Sequence, residues 1–288
     1  MALEIPETAI IAGQMNHSLR GKQITHAGLL EGETLIREGF INVTPEQFQR
    51  MLTGRKIEYV TSNGKWIFVR LDSGVLILLS LQILGELRLL ASDSSVTRQS
   101  TAMLRFDDES QLAIRIVGWG YLKLVPVTDL GKHLVPGKLG INPLDIRTFN
   151  PETFGQLLAS HEQKQIKAFL LDQSLVSGLG NRYLQDILYR AKIHPARKIS
   201  TLNPSEQFAL FQGITDTIQR AIEAGGFFTE TDLFGIPGNY HPMMGKHMLE
   251  KPCYQCKTPI KGEKIGRSFS YYCPSCQPPV TTIGKGLS

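Results

Sequence analysis

Residues 170–195 read LLDQSLVSGLGNRYLQDILYRAKIHP and form the most distinctive stretch of this 288-residue sequence. The small residues Gly178 and Gly180 suit a tight turn, Asn181 suits a helix cap, and the residues that follow have helical periodicity. A helix that begins at such a turn offers unpaired N–H groups to an anion, for example a phosphate. An ordinary capped helix is the alternative. By itself, this stretch predicts a turn and a helix, with phosphate binding as one of two explanations.

The sequence on both sides of this stretch is also helical in pattern. Apolar residues recur at the spacing of amphipathic helices from Pro151 to about Ala224, as in PETFGQLLASHEQ and SEQFALFQGITDTIQRAIEA. Residues 225–248, GGFFTETDLFGIPGNYHPMMGKHM, are rich in glycine, proline and aromatic residues and have no periodicity. We therefore expect a helical domain that ends in a long irregular loop.

The first part of the chain has the pattern of a β domain. Residues 56–82 and 101–127 hold apolar, β-branched runs separated by the turn signals SNG, DSG and DDES. A helical pattern from Ile5 to Leu19 precedes them, with Pro6 in the first turn, where proline is tolerated. These patterns predict an antiparallel β sandwich preceded by one helix.

All four cysteines lie near the end of the chain, as CYQC (Cys253 and Cys256) and CPSC (Cys273 and Cys276). Sixteen residues separate the two pairs, which is typical of a four-thiolate zinc site. Each pair forms a tight knuckle that directs both sulfurs at one tetrahedral ion, and the β-prone SFSYY between the pairs predicts a hairpin. An ion with four sulfur ligands is structural, since a catalytic zinc keeps one position open. Disulfides are the alternative, and they are uncommon in chains without a secretion signal.

Charge and length restrict the class of protein. The net charge of +5 equals that of residues 251–288, which hold six basic residues and one acid. Such a segment suits an anionic partner such as nucleic acid, with a solvated basic tail as the alternative. No run of about 18 apolar residues occurs, and the acidic start is unlike a secretion signal. We expect a cytoplasmic, nucleoid-associated protein of about two domains.

Taken together, three features resemble the formamidopyrimidine-DNA glycosylase and endonuclease VIII family. LVSGLGNRYLQDILYRAKIHP (residues 175–195) resembles its helix–two-turns–helix motif, the cysteine pairs match its zinc finger, and LEIPE (residues 3–7) matches its N-terminal segment. The resemblance covers essentially the whole chain. It implies an α+β multidomain fold with one structural zinc ion: a β sandwich with a flanking helix (1–135), a helix–two-turns–helix domain (136–245) and a zinc-finger β hairpin (246–288).

Members of this family remove oxidised bases from DNA and nick the resulting abasic site. The resemblance therefore implies that the partner is double-stranded DNA, damaged or abasic, bound by a monomer. The damaged nucleotide must leave the base stack before its reacting carbon is accessible. Lys65, Asn181 and Arg267 match the family's phosphate-binding positions, with solvated polar residues as the alternative. The family reads the base largely by loops, and residues 227–245 contain no code that identifies the lesion.

The first residues depart from the family pattern. The family's nucleophile is an N-terminal proline, followed by a glutamate that helps to open the sugar ring after the amine attacks C1′. Glu4 aligns with that glutamate, but Leu3 stands at the position of the proline, with Ala2 before it. Removal of Met1 leaves a primary amine on Ala2, displaced by up to about 3.5 Å of extended chain. A misplacement of even about 1 Å can lower a rate on the order of 100-fold.

The residues that fill the space left by an extruded base differ as well. The family uses a methionine in one β loop and an arginine and a phenylalanine in another. Here Ile83 stands at the methionine position, Val117 or Gly118 at the arginine position, and Trp119 at the position of the aromatic wedge. Ile83 and Trp119 can enter a base stack as apolar wedges, with core packing as the alternative. Arg267 lies one position farther from Cys273 than the family pattern has it.

Two functions follow from these observations. The first is a base-excision enzyme that uses the Ala2 amine, with Glu4 as acid/base and Lys65 in support. The second is a non-catalytic protein that binds damaged or structured DNA and has lost the nucleophile. A protein-interaction scaffold is a third possibility, but it leaves the basic finger, Asn181 and Lys65 without a role.

Overall fold

The computed structural model describes residues 3–30, 32–82, 84–91, 100–133 and 139–279. The chain divides into two compact units. The first unit comprises Met1–Leu139 and Ala221–Tyr240, and the second comprises Gly140–Arg220 and His241–Ser288. The three-part division at residues 135 and 245 stays a prediction. Among the described residues, no helix is both long and apolar enough to cross a bilayer.

In the described part of the first unit, eight strands form two antiparallel sheets. They are β1 (Ile24–Leu29), β2 (Ile57–Asn63), β3 (Trp66–Leu71), β4 (Val75–Ser80), β5 (Glu86–Leu90), β6 (Ala102–Phe106), β7 (Gln111–Arg115) and β8 (Tyr121–Pro126). One sheet has the order β1-β6-β7-β5 and the other β2-β3-β4-β8. Apolar residues of both sheets enter one continuous core, which confirms the predicted sandwich. The opposite face of the second sheet carries a smaller cluster that includes Trp66 and Phe68.

The first unit contains more helices than the single one predicted. The predicted helix is confirmed as α1 (Ile5–Leu19), but α2 (Glu33–Arg37), α3 (Pro45–Leu52) and α4 (Leu130–His133) were not expected. The signal for α3 is present in the sequence: the Thr44 hydroxyl accepts the N–H of Gln47, and the Gln47 side chain accepts the N–H of Thr44. This reciprocal cap, with proline in the first turn, marks a helix start even in a polar segment.

The second unit holds the helices that the periodicity predicted, followed by the cysteine-bearing hairpin. The elements are α5 (Pro151–Ala159), α6 (Ile166–Leu170), α7 (Asn181–Arg190), α8 (Pro204–Glu223), β9 (Lys261–Ile265) and β10 (Ser268–Tyr272). The last three residues of α8 belong to the first unit. Gly262 lies inside β9 rather than in a turn, and a Cβ there would come within 2.9 Å of the Tyr271 ring. Glycine is therefore required at this position for close packing across the hairpin.

Candidate nucleic-acid interface

The start of the chain is held firmly in the first unit. Leu3 is only 4% exposed, and its backbone N–H donates to the carbonyl of Leu81 at 3.2 Å. The nitrogen at the family's proline position is therefore a buried peptide amide, which has no basic lone pair and cannot act as a nucleophile. Ala2, which we expected to supply the reacting amine, lies outside the described residues.

Two carboxylates lie at the start of α1, Glu4 just before the helix and Glu7 in its first turn. Glu4 precedes the helix and is 4% exposed. Glu7 accepts the Glu4 backbone N–H at 3.0 Å with one carboxylate oxygen and the Phe227 N–H at 3.0 Å with the other. A carboxylate that receives N–H groups at a helix N-terminus is stabilised by the helix dipole. Glu7 thus fixes the backbone of Glu4, and sequence reasoning gave Glu7 no role.

A hydroxyl joins this helix start to the turn that carries Lys65. The side chain of Thr8 is buried, and its Oγ1 donates to the carbonyl of Gly64 at 2.7 Å. Gly64 and Lys65 form the two-residue turn between β2 and β3, and Gly64 has a φ of 58°. Glycine suits the first central position of such hairpin turns because it tolerates positive φ. Glu4 and Lys65 are therefore held in one neighbourhood by Thr8.

The side chain of Lys65 is available to bind an external group. It makes no hydrogen bond or ion pair with any residue that the structure describes, and its side chain is half-buried. An ammonium group in this condition has its hydrogen-bonding capacity available for an external anion. The predicted phosphate contact fits this geometry.

The structure describes one of the two residues that were expected to enter a base stack. Ile83 lies outside the described residues. Trp119 lies in the turn between β7 and β8 and is 71% exposed, so core packing does not explain it. Its ring meets that of Phe40 edge-on, with a centroid distance of 6.0 Å.

Asn181 was expected to cap the helix that follows the turn, and the structure shows that it does not. Gly180, with extended backbone, occupies the cap position, and Asn181 is the first residue of α7. Gly178 has a φ of 89°, which glycine adopts without strain. Because Asn181 does not cap its own helix, its side chain contacts the finger hairpin instead. Its amide nitrogen donates to the Phe269 carbonyl at 3.1 Å, and its amide oxygen accepts the Ser268 hydroxyl at 3.1 Å.

Arg267 occupies the tip of that hairpin. Gly266, with a φ of 64°, and Arg267 form the two-residue turn between β9 and β10. The Arg267 side chain is exposed and makes no hydrogen bond or ion pair with any described residue. It therefore resembles Lys65: each is a free cation that follows a glycine at the tip of a hairpin.

Lys167 contacts the finger hairpin, a role that no sequence pattern predicted. It lies in α6, is 3% exposed, and its Nζ donates to the Ser268 carbonyl at 2.7 Å and the Ser270 hydroxyl at 2.8 Å. Burial lowers the pKa of Lys167 to about 8. Gln185 of α7 adds a second anchor, because its side-chain oxygen accepts the Tyr271 N–H at 2.7 Å. The outer edge of β10 is thus covered by side chains of two helices rather than by a third strand.

The four cysteines meet as the spacing predicted. No pair forms a disulfide, and all four Sγ atoms lie within 4.8 Å of one another. The distances are 3.4 Å between Cys256 and Cys273 and 3.9 Å between Cys253 and Cys276. Tetrahedral coordination with bonds of about 2.3 Å places sulfurs about 3.8 Å apart, so the cluster could hold one metal ion. Hydrogen bonding with Thr258 lowers the pKa of Cys256 to about 6, which favours the thiolate form that binds metals.

Helix α7 also contacts this cluster at its far end. The Tyr189 hydroxyl lies 3.2 Å from the sulfur of Cys253, inside an apolar cluster with Met244 and Met248. Gln277, which is 1% exposed, accepts the Cys273 N–H and donates to the Ile193 carbonyl, each at 3.0 Å. Side-chain hydroxyls and amides outside the ligand set orient metal ligands. One helix thus positions both the hairpin and the cysteine cluster.

Part of the long irregular loop is anchored in the first unit. The carboxylate of Asp232 accepts the Gln14 side-chain amide at 2.8 Å, and Gln14 in turn accepts the Leu233 N–H at 3.0 Å. Arg88 of β5 donates to the Asp232 carbonyl and the Thr231 hydroxyl, each at 2.9 Å. Leu233 is fully buried in the core. These contacts fix residues 231–233 against α1 and β5, which no local pattern indicated.

Comparison with known proteins adds independent support for a relationship. Residues 3–116 match the formamidopyrimidine-DNA glycosylase N-terminal domain, and residues 139–232 match the formamidopyrimidine-DNA glycosylase H2TH domain. The chain is 32% identical to a formamidopyrimidine-DNA glycosylase of Enterococcus faecalis, over 95% of this chain and 96% of that protein. It is 31% identical to one of Desulforamulus reducens, over 95% and 98%.

Solved structures agree with this relationship. The Lactococcus lactis Fpg in complex with an abasic site containing DNA superposes with a TM-score of 0.81 at 25% identity, over 96% of this chain and 99% of that one. A MutM in complex with carbocyclic 8-oxo-G containing DNA gives a TM-score of 0.83 at 25% identity over the same shares.

Proposed function

This chain belongs to the formamidopyrimidine-DNA glycosylase family, and from that membership we propose that it is a base-excision-repair protein that binds damaged double-stranded DNA. One observation carries the proposal: the Thr8 hydroxyl joins the first turn of α1, which Glu4 precedes, to Gly64, the residue before Lys65. A buried carboxylate beside a free cation suits a sugar and its phosphate. We assign the phosphate contacts to Lys65 in the first unit and to Asn181 and Arg267 in the second.

The excision chemistry proposed for this site starts from the α-amine of Ala2 after removal of Met1. Its lone pair forms a bond to C1′ while the bond from C1′ to the base breaks and the base leaves with that electron pair. The ammonium formed on the Ala2 nitrogen passes a proton to the departing base. The nitrogen lone pair then forms the C=N bond as the bond from C1′ to the ring oxygen breaks, and the protonated Glu4 carboxyl donates its proton to that oxygen, which leaves a protonated Schiff base between Ala2 and C1′. An α-amine suits this step because its pKa, near 8, leaves a neutral fraction at physiological pH.

A second function is favoured by a specific observation. The nitrogen at the family's proline position is the buried amide of Leu3. A chain that cannot place the Ala2 amine at C1′ would bind damaged DNA without cleaving it. The protein could thus bind damaged DNA with or without excising the base, and one experiment distinguishes these two functions.

That experiment is reductive trapping on an oligonucleotide that contains an abasic site. Borohydride reduces a Schiff base to a stable amine, so we expect a covalent adduct, and peptide mapping should locate it on Ala2. A matched variant with three extra N-terminal residues moves the amine by up to about 10 Å and should lose the adduct. An intact mass spectrum establishes beforehand whether Met1 is removed. Tight, lesion-selective binding without an adduct would support the non-catalytic function instead.

The phosphate contacts are tested by the salt dependence of DNA binding. We expect Lys65→Gln and Arg267→Gln each to lower the slope of log affinity against log salt by about 0.9, because each removes one phosphate neutralisation. Lys132→Gln and Arg147→Gln are matched controls, since these side chains are paired with Asp129 and Asp145. Fluorescence anisotropy at several salt concentrations gives the slopes. Equal slopes in all four variants would contradict the assignment.

The metal in the cysteine cluster is proposed to be one zinc ion held by Cys253, Cys256, Cys273 and Cys276. Four thiolates match the preference of structural zinc, and the ion would tie the two knuckles together without taking part in the reaction. We further propose that the protein acts as a monomer in the cytoplasm, where its DNA lies.

A further inference from the structure

The two faces of the finger hairpin differ in composition. In an antiparallel pair, side chains directly opposite one another lie on the same face of the sheet. Lys264 of β9 lies opposite Phe269 of β10, and Gly262 lies opposite Tyr271. These four residues are named here the aromatic hairpin face.

Two aromatic rings lie next to each other on the aromatic hairpin face. The rings of Phe269 and Tyr271 have a centroid distance of 6.3 Å and an interplanar angle of 24°. The Tyr271 ring lies over Gly262, where a Cβ would come within 2.9 Å of it, and Phe269 is 54% exposed. A near-parallel pair of rings that is partly open to water is an apolar surface suited to a flat ligand.

The backbone that carries these rings is held at its edge by helix α7. The Phe269 carbonyl accepts the side-chain amides of Asn181 and Gln185 at 3.1 and 3.4 Å, and the Tyr271 N–H donates to the Gln185 side-chain oxygen. These bonds fix the strand without covering the exposed ring of Phe269. A surface that is already ordered loses little conformational freedom when it binds a ligand.

The charges at the aromatic hairpin face are positive. Lys264 is exposed and makes no hydrogen bond or ion pair with any residue that the structure describes. The single acid among residues 251–288, Glu263, lies on the opposite face of the hairpin, where it accepts the Tyr272 hydroxyl at 2.9 Å. Exposed rings beside an unpaired cation are complementary to a nucleic acid, because bases stack on the rings and a phosphate pairs with the cation.

The exposed ring favours a single strand over a duplex. Inside a duplex each base is covered on both sides by its neighbours, so an aromatic side chain on a hairpin face has no base surface to contact. The bases of a single strand are unstacked and can lie against aromatic side chains. Such stacking accepts any base, since every base has a π face.

We propose that the aromatic hairpin face is a binding site for single-stranded DNA, in which bases stack on Phe269 and Tyr271 and a phosphate pairs with Lys264. The inference goes beyond the proposed function and rests on it only for the choice of DNA as the nucleic acid. A protein that nicks abasic sites meets single strands next to the lesion, because the strand ends at a nick can leave the duplex.

Fluorescence anisotropy with two labelled probes tests the proposal. One probe is an oligo(dT) of about 12 nucleotides, and the other is a duplex that contains a tetrahydrofuran abasic analogue. We expect Phe269→Ala to weaken binding of the oligo(dT) about tenfold, the effect of losing one base–aromatic stack, and to change binding of the duplex by less than about twofold. Phe269→Tyr keeps the ring and should bind both probes as the unaltered protein does. Phe208→Ala removes an exposed aromatic side chain of α8 and should alter neither affinity.

The salt dependence of oligo(dT) binding measures the contribution of Lys264. Lys264→Gln should lower the slope of log affinity against log salt by about 0.7, the value for one phosphate of a single strand. Lys261→Gln is the matched control, because Lys261 is an exposed residue of the same strand whose side chain alternates to the opposite face. It should leave the slope unchanged. Thermal unfolding should be the same for all variants, since the substituted side chains are exposed.

Four results would overturn the inference. The unaltered protein could fail to bind the oligo(dT), or Phe269→Ala could leave that binding unchanged. Phe269→Ala could instead weaken both probes equally, which would assign the ring to the duplex, or Lys264→Gln and Lys261→Gln could give equal slopes. In each case the protein still binds the abasic duplex, so the proposed function stands. Failure to bind that duplex at low salt would contradict the proposed function itself.

Discussion

Glu4→Gln should reduce strand cleavage at an abasic site by at least about 100-fold while DNA affinity changes by less than about threefold. General acid–base groups contribute about 10²–10⁴ to a rate, and the amide of glutamine cannot donate the proton that opens the sugar ring. The side chain is 4% exposed, so no water replaces it readily. Nicking of a labelled abasic oligonucleotide under single-turnover conditions measures the rate.

The matched control is Glu33→Gln. Like Glu4, Glu33 is an acid at the start of a helix, since it lies in the first turn of α2, but its side chain is exposed. It should leave both cleavage and binding unchanged. Full cleavage by the Glu4→Gln protein would exclude Glu4 as the acid/base, and absence of cleavage by the unaltered protein would favour the non-catalytic function.

Cys253→Ser should remove the metal and lower DNA affinity on the order of 100-fold at low salt. Structural zinc contributes about 10–16 kcal/mol to the folding of finger peptides, and this hairpin has only two strands of five residues each. Its unfolding removes Arg267 and frees Asn181 from Ser268 and Phe269. Two hydrogen bonds to charged groups, at about 1.5 kcal/mol each, correspond to about 100-fold in affinity.

Metal content by a colorimetric zinc assay and affinity by anisotropy should be measured on the same preparation. Ser275→Ala is the matched control, because Ser275 lies in the other knuckle of the same cluster, is exposed, and its hydroxyl is hydrogen-bonded to the Thr258 hydroxyl. It should retain both zinc and affinity. Complete metal loss with unchanged DNA affinity would separate the finger from DNA binding.

The elements that the sequence predicted well are those specified by consecutive residues. Helix α1 has the predicted bounds because its apolar residues and Pro6 are local signals. The hairpin turn at Gly64 and the cysteine cluster follow in the same way from turn chemistry and ligand spacing. Helix α3 was not predicted, because its segment is mostly polar and shows little apolar periodicity. The capping residue Thr44 was nevertheless a signal for a helix start.

The candidate site residues stay predictions, and the structure shows contacts around them that no sequence pattern predicted. Lys65 and Arg267 could be named, and both are uncommitted cations at hairpin tips. Asn181 was expected to cap its helix and instead holds the finger, because Gly180 takes the cap position. Lys167 had no signal, since a lysine in a helical pattern is normally solvated.

By itself, then, the sequence determined the order of domains, the cysteine cluster and the candidate chemistry, because these depend on spacing along the chain. Only the tertiary structure decided how the site is held. Thr8 and Gly64 are 56 residues apart, Lys167 and Ser268 are 101 apart, and Gln14 and Asp232 are 218 apart. In each pair the partner is chosen by the packing of whole elements rather than by neighbouring residues, and for the buried Thr8 and Lys167 such a partner offsets the cost of burying a polar group.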